Sequence, residues 1–289
     1  MNAVLLPASA ARRLIVNADD FGYFDGVSRG IIDCAERGVV TATGVMANGP
    51  ALGRWTGRLR SLPELSVGVH LNATLGQPLT SEMRAALSRT GGAFPSKERL
   101  VTGLLSGRLS ASLIHAEWRA QVERCREAGL NVVFLNSHEH VHALPVLGRI
   151  ALGLADEFGI AHVRAPKPDW DATRGSAAVM RNGVLAALSP FQPDSLRPTP
   201  RLIGLSVSGR LDLEYCRRRL ASLESGTYEL MCHPGWRDEA ALRDERLARY
   251  HDWELELETL TGRAFGELLV EYGISLVSFD NRGAAELAR

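Results

Sequence analysis

The stretch that decides the fold runs from Arg12 to Gly22 and reads RRLIVNADDFG. Its apolar part, Leu14 to Val16, is short and β-branched, which fits a strand buried on both faces. The run stops at two adjacent carboxylates, Asp19 and Asp20, followed by Phe21-Gly22. Acids at the end of such a strand stand at the sheet edge where α/β enzymes keep their sites. Neighbouring carboxylates repel unless a cation or a shared proton relieves them. Successive residues at a strand end point in different directions, so one acid can hold a metal while the other faces a substrate. The same residues also fit a solvated turn whose Asp caps a helix starting near Asp25. The rest of the chain has to choose.

Outward from this stretch, strand and helix patterns alternate. Asp25 to Arg37 carries Val27, Ile31, Ile32 and Ala35 at helical spacing, and Gly38 closes it. Strands are expected over Val39 to Met46, Leu65 to Leu71, Val132 to Leu135, Ala161 to Ala165, Leu202 to Val207, Tyr228 to Cys232 and Ile274 to Phe279. Helices are expected from Pro50 through Leu59, over Ser112 to Ala128, Pro145 to Phe158, Ala177 to Leu188 and Leu213 to Leu223, and near Leu257 to Tyr272. Residues 76–110 break the rhythm with Gly, Pro, Ser and Thr and read as an excursion over the strand ends, where substrate loops sit. Alternation without a linker predicts an α/β fold of parallel strands, and about seven strands favour barrel-like closure of a single domain over 1–289.

The chain of 289 residues is 45% hydrophobic and 23% charged, ordinary for a protein with ample core. Its formal net charge of zero gives no electrostatic case for nucleic acid or an acidic membrane. The four cysteines, Cys34, Cys125, Cys216 and Cys232, form no C-x-x-C pair and read as small buried hydrophobes. Ala8-Ser9-Ala10 resembles a signal-peptidase site, but Arg12 and Arg13 follow it, the wrong flank for a signal peptide. With no stretch of about 18 apolar residues, the reading is a cytoplasmic protein with no membrane span. A homodimer is left open.

Ligand-type side chains gather at the ends of four strands: Asp19-Asp20, His70, His138 to His142, and His233. One carboxylate with two imidazoles is a common set for a catalytic divalent ion, with positions left open for water and substrate. Extended, His138, His140 and His142 would alternate onto one face, yet three such neighbours rarely reach one ion. One is expected to ligate and the others to line the substrate cleft or to support the ligands from behind, with Glu139 turned away into a structural hydrogen bond. HEHVH is not the H-E-x-x-H of zincins. Neither a G-x-S-x-G elbow, a Walker loop nor a dinucleotide fingerprint follows a strand. Tyr23, Trp170 and Trp236 border the site loops and could stack on sugar rings, or simply pack locally. Arg164 and Lys167 could bind hydroxyls, a carboxylate or a phosphate-linked carrier, or serve only in salt bridges.

NADDFG at 17–22, VTATGVMANGP at 40–50, VGVHLN at 67–72, NSHEHVH at 136–142 and ELMCHPGW at 229–236 together resemble the YdjC/ChbG carbohydrate deacetylases, relatives of the NodB-type polysaccharide deacetylases that include hopanoid-associated members. The resemblance implies a distorted, seven-stranded (β/α) barrel and metal-dependent removal of acetyl from N-acetylated amino sugars. It implies Asp20, His70 and His138 as ligands of one divalent ion (magnesium or zinc), Asp19 as the catalytic base and His233 as the general acid. His140, His142, Arg164, Trp236 and Tyr23 remain for a small-molecule sugar substrate. Asn136 departs from the Asp of several relatives, which touches the tuning of the site. Rival readings are a related barrel metallohydrolase, a deformylase or phosphoesterase on a lipid-linked sugar, or an inactive sugar-binding member. Chito-oligosaccharides, hopanoid or lipid-linked aminosugars and secondary-metabolite glycosides all stay open as substrates.

Overall fold

In the computed structural model, residues 11–170, 176–188, 199–238 and 249–280 are described. The Ala8-Ser9-Ala10 stretch, Pro190, Pro193, Pro198 and much of the charged segment after Arg237 lie outside them. The Arg12 stretch forms the first strand, β1 (Arg12–Phe21), followed by β2 (Ala42–Val45), β3 (Ser66–Leu71), β4 (Val132–Ser137), β5 (His162–Val163), β6 (Arg201–Ile203), β7 (Gly226–Cys232) and β8 (Ile274–Leu276). All pairings are parallel. Seven strands follow one path, β5-β4-β3-β2-β1-β7-β6, curled into a partial barrel, while β8 pairs with β1 off that path. β8 meets the first half of β1 (Arg12 to Leu14) and β2 the second half (Asn17 to Phe21).

The α-helices among the described residues are α1 (Asp25–Glu36), α2 (Leu52–Arg60), α3 (Ser81–Ala86), α4 (Lys97–Leu105), α5 (Ala111–Glu127), α6 (Pro145–Glu157), α7 (Ser176–Leu188), α8 (Leu213–Ala221), α9 (Trp253–Thr261) and α10 (Arg263–Glu271), with short 3₁₀ turns at Ser88–Thr90, His138–Ala143 and Leu205–Val207, the last replacing the end of the strand expected over Leu202 to Val207. The excursion thus contains two helices, α3 and α4. It is anchored by buried Glu117 of α5, whose carboxylate accepts from Leu79 N, Thr80 N and Thr80 Oγ. The helix expected near Leu257 to Tyr272 is two, α9 and α10, because Gly262 is extended at ψ 141° between them. No helix among the described residues is long and apolar enough to cross a membrane.

Strand alternation sorts β1 into two columns. Leu14, Val16 and Ala18 join the large core with Val27, Ile31, Val45, Val69 and Leu71. Ile15 points the other way, into a small interior plug with Ala42, Phe134, Val277 and Phe279. Phe279, beyond β8, stacks on Phe134 at 4.3 Å and fills the barrel floor. Two residues further along each strand from Ile15, Ala42 and Phe134 come Asn17, Gly44 and Asn136, so the interior turns polar toward the C-terminal strand ends. Asp19 and His70 follow there.

Candidate active site

The acidic pair sits on a β-bulge. Between Ala18↔Thr43 and Phe21↔Val45 the register shifts, so Asp19 and Asp20 together oppose Gly44. Asp20 takes φ 72°, left-handed for a residue with a side chain. In a regular strand the two carboxylates would point to opposite faces; the bulge turns both toward His70. Asp20 Oδ1 lies 3.3 Å from His70 Nε2, and Asp19 Oδ1 3.7 Å from His70 Nδ1. Opposite the bulge, a Cβ on Gly44 would come within 3.0 Å of Asp19 Oδ1 and 3.1 Å of Asn136 Oδ1, and a bare backbone leaves that room.

His70 and Asn136 are register partners on β3 and β4, which explains their 2.7 Å contact between His70 Nδ1 and Asn136 Oδ1. Asn136 Nδ2 in turn donates to Asp19 Oδ1 at 2.7 Å. Immediately after β4, His138 brings Nδ1 to 3.0 Å from Asp20 Oδ1. His138 does not continue an extended run. Residues His138–Ala143 form a 3₁₀ turn with Glu139 and His140 at φ 51° and 54°, so the expected alternation of three histidines onto one face does not occur. Glu139 turns out to Lys97 of α4 at 3.5 Å.

Asp20, His70 and His138 each offer one ligand atom, all within 4.8 Å of one another and all buried. Burial raises the Asp20 carboxyl, but the charge and hydrogen bond of His138 and the contact with His70 overcome it and hold Asp20 well below the ordinary carboxylate range. An ionised oxygen faced by two imidazole nitrogens is a hard-and-borderline donor set that fits a divalent ion. Asp19 is likewise pushed up by burial and brought lower by Arg164, with His70 and His233 adding to the effect.

His233 arrives from the end of β7, on the other side of β1. Its backbone N donates to Glu256 of α9, and its Nδ1 lies 3.9 Å from Glu256 Oε2. The turn that follows it lies against the backbone of α1, with Trp236 N donating to Gly26 O at 2.9 Å. A Cβ on Gly30 would stand 2.5 Å from Gly235 Cα, so the turn reaches this depth only over glycine.

A bulged carboxylate pair and imidazoles at three strand ends thus belong to a chain with named relatives. The YdjC-like protein family matches residues 13–271. The chain belongs to this family. It is 30% identical over 275 residues to a carbohydrate deacetylase of Brevibacillus brevis, covering 94% of this chain and 100% of that one. It is 32% identical over 279 residues to a chitooligosaccharide deacetylase of Klebsiella pneumoniae, covering 93% and 98%. A crystal structure of an Enterococcus faecalis protein named for cellobiose-phosphate cleavage superposes with TM-score 0.72 at 26% identity, covering 94% of this chain and 98% of that one.

In this YdjC-like chain several expected substrate contacts take other positions. Arg164 does not reach outward. Its guanidinium is buried, donating through Nη1 to Asp19 Oδ2 at 2.6 Å, through Nη2 to Asp19 Oδ1 at 3.1 Å, and to Glu229 Oε1 at 2.6 Å. Asn17 Nδ2 also donates to Glu229 Oε1, at 2.7 Å. His142 does not line the cleft, since Nδ1 meets Ser137 Oγ and Nε2 lies 2.9 Å from the Arg164 carbonyl. Trp236 is 41% exposed but runs down the outside of α1. Its indole donates to Asp33 at 2.7 Å under the Arg29 guanidinium, about 12 Å of helix rise from Asp25. Tyr23 is half-buried, its ring edge-on to Phe24 at 5.0 Å. His140, left-handed and with buried Nδ1 lacking a partner among the described residues, stays a candidate contact. Trp170 is 54% exposed.

Asn17, Glu229, Glu256 and His251 were not expected. Asn17 and Glu229 carried one readable signal, a polar side chain inside a strand otherwise buried and apolar, which requires a buried partner.

His142 yields a stability prediction. Burial, reinforced by the Arg164 charge against the pull of the Arg164 carbonyl, pushes its imidazole down to about 4. Folding therefore holds it neutral while the unfolded chain titrates near 6.5, so stability is full above about pH 6.5 and falls as pH drops toward 4. The span corresponds to about 3 kcal/mol. Urea unfolding at pH 7 and pH 4.5 should show this loss, and His142→Gln should flatten it while lowering stability at pH 7.

Proposed function

We propose that this chain is a metal-dependent hydrolase that removes the N-acetyl group from an N-acetylated amino sugar or glycoside, releasing acetate. The observation that carries the reading is the convergence of Asp20, His70 and His138 beside a second, ionised carboxylate, Asp19. The activities for which the two deacetylase relatives are named support the same bond and substrate class. We read residues 1–289 as one domain with 76–110 extending over the mouth.

Asp20, His70 and His138 would hold the ion, which when bound polarises an acetamide carbonyl and acidifies water. Imidazole donors favour zinc or another transition metal, and magnesium is the alternative the resemblance brings. Asp19 takes the proton of the attacking water as the new C–O bond forms. Arg164 serves Asp19 by keeping its carboxylate ionised and fixing both oxygens. His233 delivers a proton to the nitrogen as the C–N bond breaks, leaving acetate and the sugar amine. A base and an acid reaching the carbonyl from different strand ends, β1 and β7, are what amide hydrolysis requires. His140 and Tyr23 are the residues we assign to the sugar.

The test is acetate release from N,N′-diacetylchitobiose and other N-acetylated sugars by metal-stripped protein, with zinc, magnesium or cobalt restored. Acetate should appear only with metal. Phosphate release from sugar phosphates without any acetate would instead select the phosphoesterase reading.

A further inference from the structure

The approach to α9 brings an imidazole outside the set read from the strand ends. Residues 250–256 are tied both to Gly209 and to the His233 turn. Asp252 N donates to Gly209 O at 2.7 Å, Gly235 N to Trp253 O at 3.1 Å, and His233 N to Glu256. This places the His251 ring 4.7 Å from the His233 ring, stacked on Trp253 at 5.2 Å and edge-on to Tyr250 at 4.9 Å. His251 is 6% exposed. Burial, with His233 and His138 adding and Asp20 opposing, holds its imidazole well below the ordinary histidine range. Burial thus favours the neutral ring, and a neutral imidazole keeps one ring nitrogen as an acceptor. Its Nδ1 is buried with no partner among the described residues and faces Gly209, where an added Cβ would stand 3.1 Å away. Nε2, by contrast, is not among the fully buried unpartnered nitrogens, which leaves it as the one able to accept from a ligand.

Such an acceptor beside the general acid matches a demand of amide cleavage. An amide nitrogen carries one hydrogen and a lone pair delocalised into the carbonyl. When water adds to the carbon, the lone pair localises and must point at the acid to be protonated. Its N–H must then point elsewhere, at an acceptor. We propose that His251 accepts the N–H of the scissile acetamide and so turns the nitrogen lone pair toward His233, favouring amides over esters. The inference rests on the deacetylase reading above. Bond changes are those already described: the water proton goes to Asp19, the His233 proton to nitrogen, and the C–N pair leaves with the amine. His251 gains and loses nothing. Among the described residues, the titratable groups Asp19, Glu256 and His251 act on His233, and only the last is changed in the test.

His251→Phe keeps the stack on Trp253 and deletes the acceptor. We expect kcat on N,N′-diacetylchitobiose to fall about 10- to 100-fold. Hydrolysis of 4-nitrophenyl acetate, whose leaving oxygen has no N–H, should stay within about twofold. The alkaline limb of the amide pH profile should not move, and His251→Asn, which restores a carbonyl acceptor, should recover part of the loss. Equal losses on amide and ester, or an undiminished amide rate, would overturn the proposal. His233→Ala separates it from its premise: if that variant keeps the amide rate, the acid assignment fails first.

Discussion

Arg164→Met should cost about 3–5 kcal/mol of stability, because it strands two carboxylates in the barrel interior. Arg164 is the cation between Asp19 and Glu229, and its side chain and both acids are 1% exposed. Its own charge is secured in return, since Asp19 and Glu229 raise the guanidinium against burial. Without it, Asp19 loses the largest influence that opposes desolvation, and its carboxyl should rise and cease to act as a base near neutrality. Turnover should therefore fall together with stability. Arg164→Lys should not rescue either property, because an ammonium cannot fork to two oxygens of Asp19 while serving Glu229. Pairing Arg164→Met with Glu229→Gln should return part of the stability but not the turnover. Urea unfolding and acetate assays on the three variants check this. Unchanged unfolding of Arg164→Met would contradict the buried ion-pair account.

Gly30→Ala should be nearly as damaging, by a different route. The new methyl would stand 2.5 Å from Gly235 Cα and 2.9 Å from Gly235 N, both backbone atoms that no rotamer change can move. Either α1 or the turn after β7 must give way. Overpacking of this kind costs about 1–3 kcal/mol. The turn is tied to Trp253 and Gly26 by backbone hydrogen bonds, so its shift carries His233 with it. A displacement of about 1 Å at a reacting group can cost about 100-fold in rate. We expect kcat to fall by that order with metal affinity unchanged, because Asp20, His70 and His138 sit on β1, β3 and after β4. A loss of metal in Gly30→Ala would contradict the division of the site between these strand ends.

Much of this was legible in the sequence, and the exceptions share a cause. Strand periodicity and the placement of Asp20, His70 and His138 at strand ends depend on local pattern. The bulge does not, because it depends on Gly44 lying opposite Asp19 and Asp20 across a strand pair. Nor does the HEHVH turn, where Glu139 and His140 take left-handed backbone that neither residue type announces. Arg164 was readable as a strand-end cation, but its two acids lie 145 and 65 residues away, on β1 and β7. His251 stands before a helix rather than after a strand, so a search of strand ends passes over it. Gly262 was the exception with a local signal, a helix breaker within the last helical stretch.

The measurement that tests the central claim most directly is metal content taken beside acetate release on Asp19→Asn and Asp20→Ala. Asp19→Asn should bind metal as the unmodified protein does and release almost no acetate. Asp20→Ala should lose both. Near-normal acetate from Asp19→Asn, or full metal in Asp20→Ala, would contradict the assignment of base and ligand on the bulge.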